Sequence, residues 1–226
     1  MTRQLRNLVA HLLPLVALVL FVNVGLCAEV DVAVKALIDR AEQGDADAQF
    51  ELGVMYADGN GVLQDYKEAV KLFRKAAEQG YANSQYNLGV MYADGKGVLQ
   101  DYKEAVKWYR KAAEQGYAPA QNNLGAMIYN GTGGLKDYKE AVKWFRKGAE
   151  QGYANAQFSL GFRYHNGEGV LKDYVKAYAW FNVASANGCD GGTKGRDLIA
   201  KEMTPEQIAE AQKLSREWFE KYQPKE

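Results

Sequence analysis

Reactive side chains are scarce in this chain: 226 residues hold two histidines, two cysteines and four serines. His11 and Cys27 fall in an N-terminal apolar run, which leaves His165 and Cys189 for the remainder, too few ligands for a zinc motif. No H-E-x-x-H occurs, and Ser84, Ser159, Ser185 and Ser215 stand in neither a G-x-S-x-G nor an S-x-x-K context. Nucleophilic catalysis lacks a foundation, and neither a cofactor nor a metal is expected. Asp58-Gly59-Asn60-Gly61 offers oxygen ligands, but Val62 interrupts the series that a calcium loop requires. Net charge is missing as well. The 28 basic and 28 acidic residues balance, whereas a nucleic-acid partner requires a basic face.

Repetition is abundant. The stretch from Ala41 to Ala76 is written out again at a period of 36, with Gly44, Gly80, Gly116, Gly152 and Gly188 in register. Leu52, Leu88, Leu124 and Leu160 keep the same phase, as do Asp65, Asp101, Asp137 and Asp173. Self-similarity of this kind belongs to arrays whose units bury their apolar faces only by stacking on neighbours. With 47% apolar and 25% charged residues, material for such a core is present.

Each unit reads as two helices. The first covers Asp47 to Ala57, with Leu52, Met55 and Tyr56 on one side. Gly53, Gly89, Gly125 and Gly161 recur inside it, where glycine costs about 1 kcal/mol relative to alanine. The expected reason is close approach of the second helix through the small Ala69, Ala105, Ala141 and Ala177. Gly59 and Gly61 then make a bend with φ > 0. Asp65 opens the second helix, with Glu68 three residues on in a variant of the capping box that satisfies two orphaned backbone N–H groups; Asp101 with Glu104 and Asp137 with Glu140 repeat it. Asp173 keeps the cap, while Lys176 breaks the box. Val70, Phe73, Ala76 and Ala77 make the apolar stripe, and positions 72, 108, 144 and 180 read Leu, Trp, Trp, Trp. The fold class is all-α, an α-solenoid of antiparallel helix pairs.

The segments AQFELGVMYADGNGV, AQNNLGAMIYNGTGG and AQFSLGFRYHNGEGV resemble the Sel1-like repeat, a 36-residue relative of the tetratricopeptide repeat. A-Q-x-x-L-G, with Ser84 in place of the alanine in the second unit, the G-x-G turn and D-Y-x-x-A carry the resemblance four times between Ala41 and Ala184. It implies a right-handed superhelix that binds proteins and seldom catalyses. Ile128, Tyr129 and Gly134 depart from the pattern, so the third unit is expected to bend differently. A branch of the same family is stapled by a disulfide in each repeat, whereas this chain must hold itself by packing.

The chain divides as follows. Residues 1–28 read as a secretory signal: Arg3 and Arg6 precede an uncharged run from Leu8 to Cys27, and cleavage is expected after Cys27 or Ala28. Twenty such residues would also span a bilayer, although His11, Pro14 and Asn23 weaken that reading, and Leu26 disfavours a lipid anchor on Cys27. Cleavage leaves 26 basic against 28 acidic residues, with no membrane contact expected afterwards. Residues 29–40 align with a lone second helix and form an N-terminal cap. Units follow at 41–76, 77–112, 113–148 and 149–184. Residues 185–226 hold a decayed repeat, with a short helix expected from Lys194 to Met203. A capping helix then opens at Thr204-Pro205-Glu206-Gln207, lining Ile208, Ala211, Leu214, Trp218 and Tyr222 on one face.

What varies between units marks the candidate binding surface. Positions opposite Leu52 and Tyr56 read Asp47-Phe50-Val54-Ala57 in the first unit, and in solenoids such faces line the concave groove. Phe50, Tyr86, Asn122, Tyr129, Phe158, Phe162 and His165 are the groove candidates, since aromatics and amides suit peptide recognition. Phe50, Tyr86 and Phe158 serve equally well as packing between units. The expected function is an exported, periplasmic, non-enzymatic scaffold for a protein or peptide partner, in envelope regulation or signalling. Two alternatives stand beside it: a cell-wall hydrolase using carboxylates such as Glu68 and Glu104, and a secreted factor that binds host proteins.

Overall fold

Residues 32–223 are described in the computed structural model, and among them eleven helices and no strand occur. The reading for the signal segment lies outside the described residues. Helix α1 covers residues 32–42. Four pairs follow: α2 (Ala46–Asp58) with α3 (Tyr66–Glu78), α4 (Ala82–Asp94) with α5 (Tyr102–Glu114), α6 (Ala118–Asn130) with α7 (Tyr138–Glu150), and α8 (Ala154–Asn166) with α9 (Tyr174–Ala186). α10 (Asp190–Ala200) and α11 (Pro205–Lys221) close the array on α9. The first helix of each pair is called A below and the second B.

Local chemistry sets these boundaries. Asp65 accepts from the backbone N–H groups of Lys67 and Glu68, and Asp101 from those of Lys103 and Glu104. Gly59, Gly95, Gly131 and Gly167 end the A helices in the left-handed conformation that favours glycine. The reciprocal half of the expected box is absent from Asp65 with Glu68, because the Glu68 carboxylate is drawn to Lys71 Nζ at 2.7 Å. Thr204 and Gln207 form the complete box.

Three further expectations are corrected. The recurrent helical glycine does admit the second helix, but what stands nearest it is a ring rather than the small alanine: a Cβ on Gly53 would stand 2.7 Å from the Phe73 ring, and one on Gly89 2.7 Å from Tyr109. At Gly125 the Ala141 carbonyl follows the Phe145 ring, at 3.2 Å. The third unit keeps its neighbours' path, with Gly131 and Gly133 at φ 72° and 80° against 69° and 72° for Gly95 and Gly97. Its turn keeps those two glycines, and differs only locally, in that the Gly131 N–H donates to both the Ile128 and Met127 carbonyls. α10 begins at Asp190, ahead of Lys194, and ends at Ala200. Gly191, Gly192 and Gly195 weaken the helical signal in sequence, but here they admit the Phe158 ring, the α9 backbone and the Phe181 ring. Counted at the period, α10 is a fifth A helix.

Stacking is specified by polar as well as apolar contacts. Phe73, Leu88, Leu124, Leu160 and Phe181 are buried along the axis. Buried Gln49, Gln85, Gln121 and Gln157 each donate to a carbonyl near the end of the preceding B-type helix, those of Ala41, Ala77, Ala113 and Ala149. Each A–B turn also rests on the preceding unit: a Cβ on Gly97 would collide with the Tyr66 carbonyl, and one on Gly169 with that of Tyr138. α1 stands to α2 as α3 stands to α4, with the same Gln49-to-Ala41 bond and Gly44 at φ 97° matching Gly80 at 95°. At the other end α11 covers α9 with Trp218, whose ring centroid lies 4.4 Å from that of Trp180.

Candidate protein-binding face

Charge is distributed unequally between the two helix types. Every B helix from α3 to α7 carries several lysines, arginines and glutamates, whereas α6 has none and α4 has only Asp94. α2 is the acidic end of the A row, with Asp47, Glu51 and Asp58. The A row therefore presents, over its central units, amides and aromatic rings rather than ions.

Phe50 is half-buried between the Phe73 ring of its own unit, 6.1 Å away, and Tyr81 of the next, 5.4 Å away. Tyr86 repeats this with Tyr109 at 5.7 Å and Tyr117 at 5.3 Å, and its hydroxyl accepts from Asn123 at 3.5 Å. Asn122 accepts from the Ser159 hydroxyl at 3.1 Å, which links α6 to α8. Phe158 and Phe162 meet edge to face at 4.9 Å, and both lean on Phe181. These five residues lie along the A row, half-buried, each with part of its surface open. Burial pushes the Tyr86, Tyr109 and Tyr117 hydroxyls above the ordinary phenol value, so all three remain neutral at physiological pH.

Tyr129 and His165 sit apart from those five, in the last turns of α6 and α8. Tyr129 donates to Glu168 Oε1 at 3.0 Å, and the Arg163 guanidinium lies 3.8 Å from its ring centroid. Arg163 takes the place of Met55, Met91 and Met127 of the other units. Its Nη1 stands 3.0 Å from Glu168 Oε2 without hydrogen-bond alignment, and its Nε is buried without an acceptor. His165 packs against Tyr174 at 5.7 Å, with Nδ1 buried and unpartnered. The sequence reading overlooked Arg163 and Glu168. It also overlooked Tyr81, Tyr117 and Tyr153, which hold the residue before each A helix from the second unit on. Their recurrence at the period was the available signal. Among the described residues, no group of three or more His, Cys, Asp and Glu side chains is placed to hold a metal ion.

The Sel1 repeat matches residues 46–81, 82–117, 118–153 and 154–189, in a phase that begins with α2. Among solved structures, the chain is similar to c5321, a protective antigen of uropathogenic Escherichia coli with an SLR fold. Identity is 42% and the TM-score 0.80, over 85% of this chain and 41% of that one. A Sel1 repeat protein from Oxalobacter formigenes is similar at 36% identity and TM-score 0.67, over 74% of this chain and 48% of that one. The chain thus spans less than half the length of either relative. No curated protein matches it. With four consecutive matches covering the helix pairs, the chain belongs to the Sel1 repeat family.

Proposed function

We propose that this chain is an exported, periplasmic scaffold that holds a protein or peptide partner on its A-helix face and carries out no chemistry of its own. Sel1 repeat proteins generally mediate protein–protein interaction. The observation that carries the reading to this face is the segregation of charge: α6 has no ionised side chain, while half-buried Tyr86, Asn122 and Phe158 keep surface open beside it. Neutral amides pair with a peptide backbone, and rings supply contact area at low entropy cost. Export is supported by the apolar run behind Arg3 and Arg6, and by the description of c5321 as a protective antigen. The carboxylates of the hydrolase alternative are engaged elsewhere, Glu68 with Lys71 and Glu104 with Lys107.

Asn83 and Asn155, neither of them buried, hold the place of Asp47 in the second and fourth units, so Asn83→Arg with Asn155→Arg tests this face without removing core packing. Crosslinked capture from envelope extract is expected to enrich a protein with the native chain and to lose it, by about tenfold or more, with the variant at unchanged Tm. Equal capture by both chains would move the site off the A row.

A further inference from the structure

Four leucines are left in solvent at the period of the repeat. Leu63, Leu99, Leu135 and Leu171 are 90%, 92%, 93% and 91% exposed. Each stands in the A–B turn, two residues before the aspartate that caps the B helix, so all four lie on the same edge of the solenoid. Single exposed apolar residues require no explanation, but a periodic row along one edge does.

We propose that this edge is a lipid-facing surface, with the leucines entering the interfacial zone of a bilayer. The path by which the chain enters the fold points to that occupant. α1 occupies the position of a B helix, so its N-terminus opens on the edge where B helices begin. The contact is direct: a Cβ on Gly61, in the first A–B turn, would lie 3.7 Å from Val34 of α1. Val32, the first described residue, is 70% exposed on this edge. The sequence before it contains the uncharged run from Leu8 to Cys27, long enough to span a bilayer. Four residues separate that run from Val32, a reach of at most about 14 Å. A retained run therefore brings the leucine edge close to the membrane.

Local charge permits the contact. The capping carboxylates of Asp65, Asp101, Asp137 and Asp173 are turned onto backbone N–H groups of their own helices. Exposed Lys67, Lys103, Lys139 and Lys172 stand close by, with stems long enough to place their ammonium groups among lipid phosphates. This edge is distinct from the A-helix face, so a scaffold seated on it keeps that face free. It runs against the expectation of no membrane contact after cleavage.

The test uses the full chain in vesicles of phosphatidylethanolamine and phosphatidylglycerol, with Cys27→Ser and Cys189→Ser as background. A fluorophore is attached at Leu99→Cys or Leu135→Cys, and for comparison at Glu78→Cys or Glu114→Cys, the far ends of B helices. Quenching by doxyl-labelled lipid is expected to be about threefold or more stronger at the leucine positions. Three results would overturn the proposal. Equal lipid quenching at both edges means no orientation. Leucine positions open to aqueous iodide and untouched by doxyl lipid mean that the edge faces water. Shielding from both quenchers means that a second copy of the chain covers it.

Discussion

Gln151 Nε2 donates to Gln121 Oε1 at 2.7 Å, and Gln121 in turn donates to the Ala113 carbonyl at 3.0 Å. The same two-step contact runs from Gln79 through Gln49 to Ala41, and from Gln115 through Gln85 to Ala77. Asn187 takes the outer place over Gln157 in the last unit. A buried amide thus satisfies a carbonyl near the end of one helix and registers the next pair on it.

Gln121→Leu removes the central amide of that relay. The Ala113 carbonyl keeps the Gly116 N–H and the Gln151 amide keeps the Lys147 carbonyl at 3.3 Å, so each loses one of its bonds, an effect worth about 1–1.5 kcal/mol. Urea denaturation should show the midpoint falling by the corresponding amount, with the slope unchanged. Gln100→Ala, which removes an exposed bond to the Ala93 carbonyl, should shift it by less than about 1 kcal/mol.

Two glycines of the third unit should respond with opposite sign. A Cβ on Gly125 would stand 2.9 Å from the Phe145 ring and 3.2 Å from the Ala141 carbonyl, so Gly125→Ala is expected to cost about 1–3 kcal/mol. Gly134 has nothing within 4 Å and an ordinary φ, so Gly134→Ala should stabilise by about 0.4–1 kcal/mol through the unfolded chain. Thermal unfolding of the two variants reads both.

Glu168→Ala removes the counter-ion of Arg163, whose side chain is 13% exposed in the native chain. The loss should be about 3 kcal/mol, because a buried charge stripped of its partner is worse than no charge. Adding Arg163→Met restores the residue type of the other three units and should recover most of it. A double-mutant cycle by chemical denaturation measures the coupling.

The Arg40 guanidinium, bonded to Asp45 at 2.6 Å, holds that carboxyl below the ordinary aspartate value, and the Ala48 N–H adds to the effect. A depressed folded value means stability that is present above the unfolded value, near 3.9, and is lost as pH falls through the folded one. The advantage of the native chain over Asp45→Asn should therefore be constant near neutrality and vanish on acidification below about pH 4. Unfolding series at stepped pH follow the difference.

Much of this architecture was legible in the residues. Asp65 and its copies mark helix starts, and Gly59 with its copies marks helix ends, because capping and φ > 0 act within one turn of the chain. Leu52, Phe73 and Trp108 showed their burial through spacing for the same reason. Contacts between different helices are a different matter, since they depend on how one helix sits on the next. The ring that fills the space at Gly53 comes from Phe73 rather than Ala69. Glycine-rich α10 became a helix because Phe158, Phe181 and the α9 backbone needed its missing side chains. Tyr129, Arg163 and Glu168 converge from two helices and a turn, and no local rule joins them. Leu63 and its three copies read like any other apolar residue until stacking left them on the outer edge, where burial by the chain itself was no longer available.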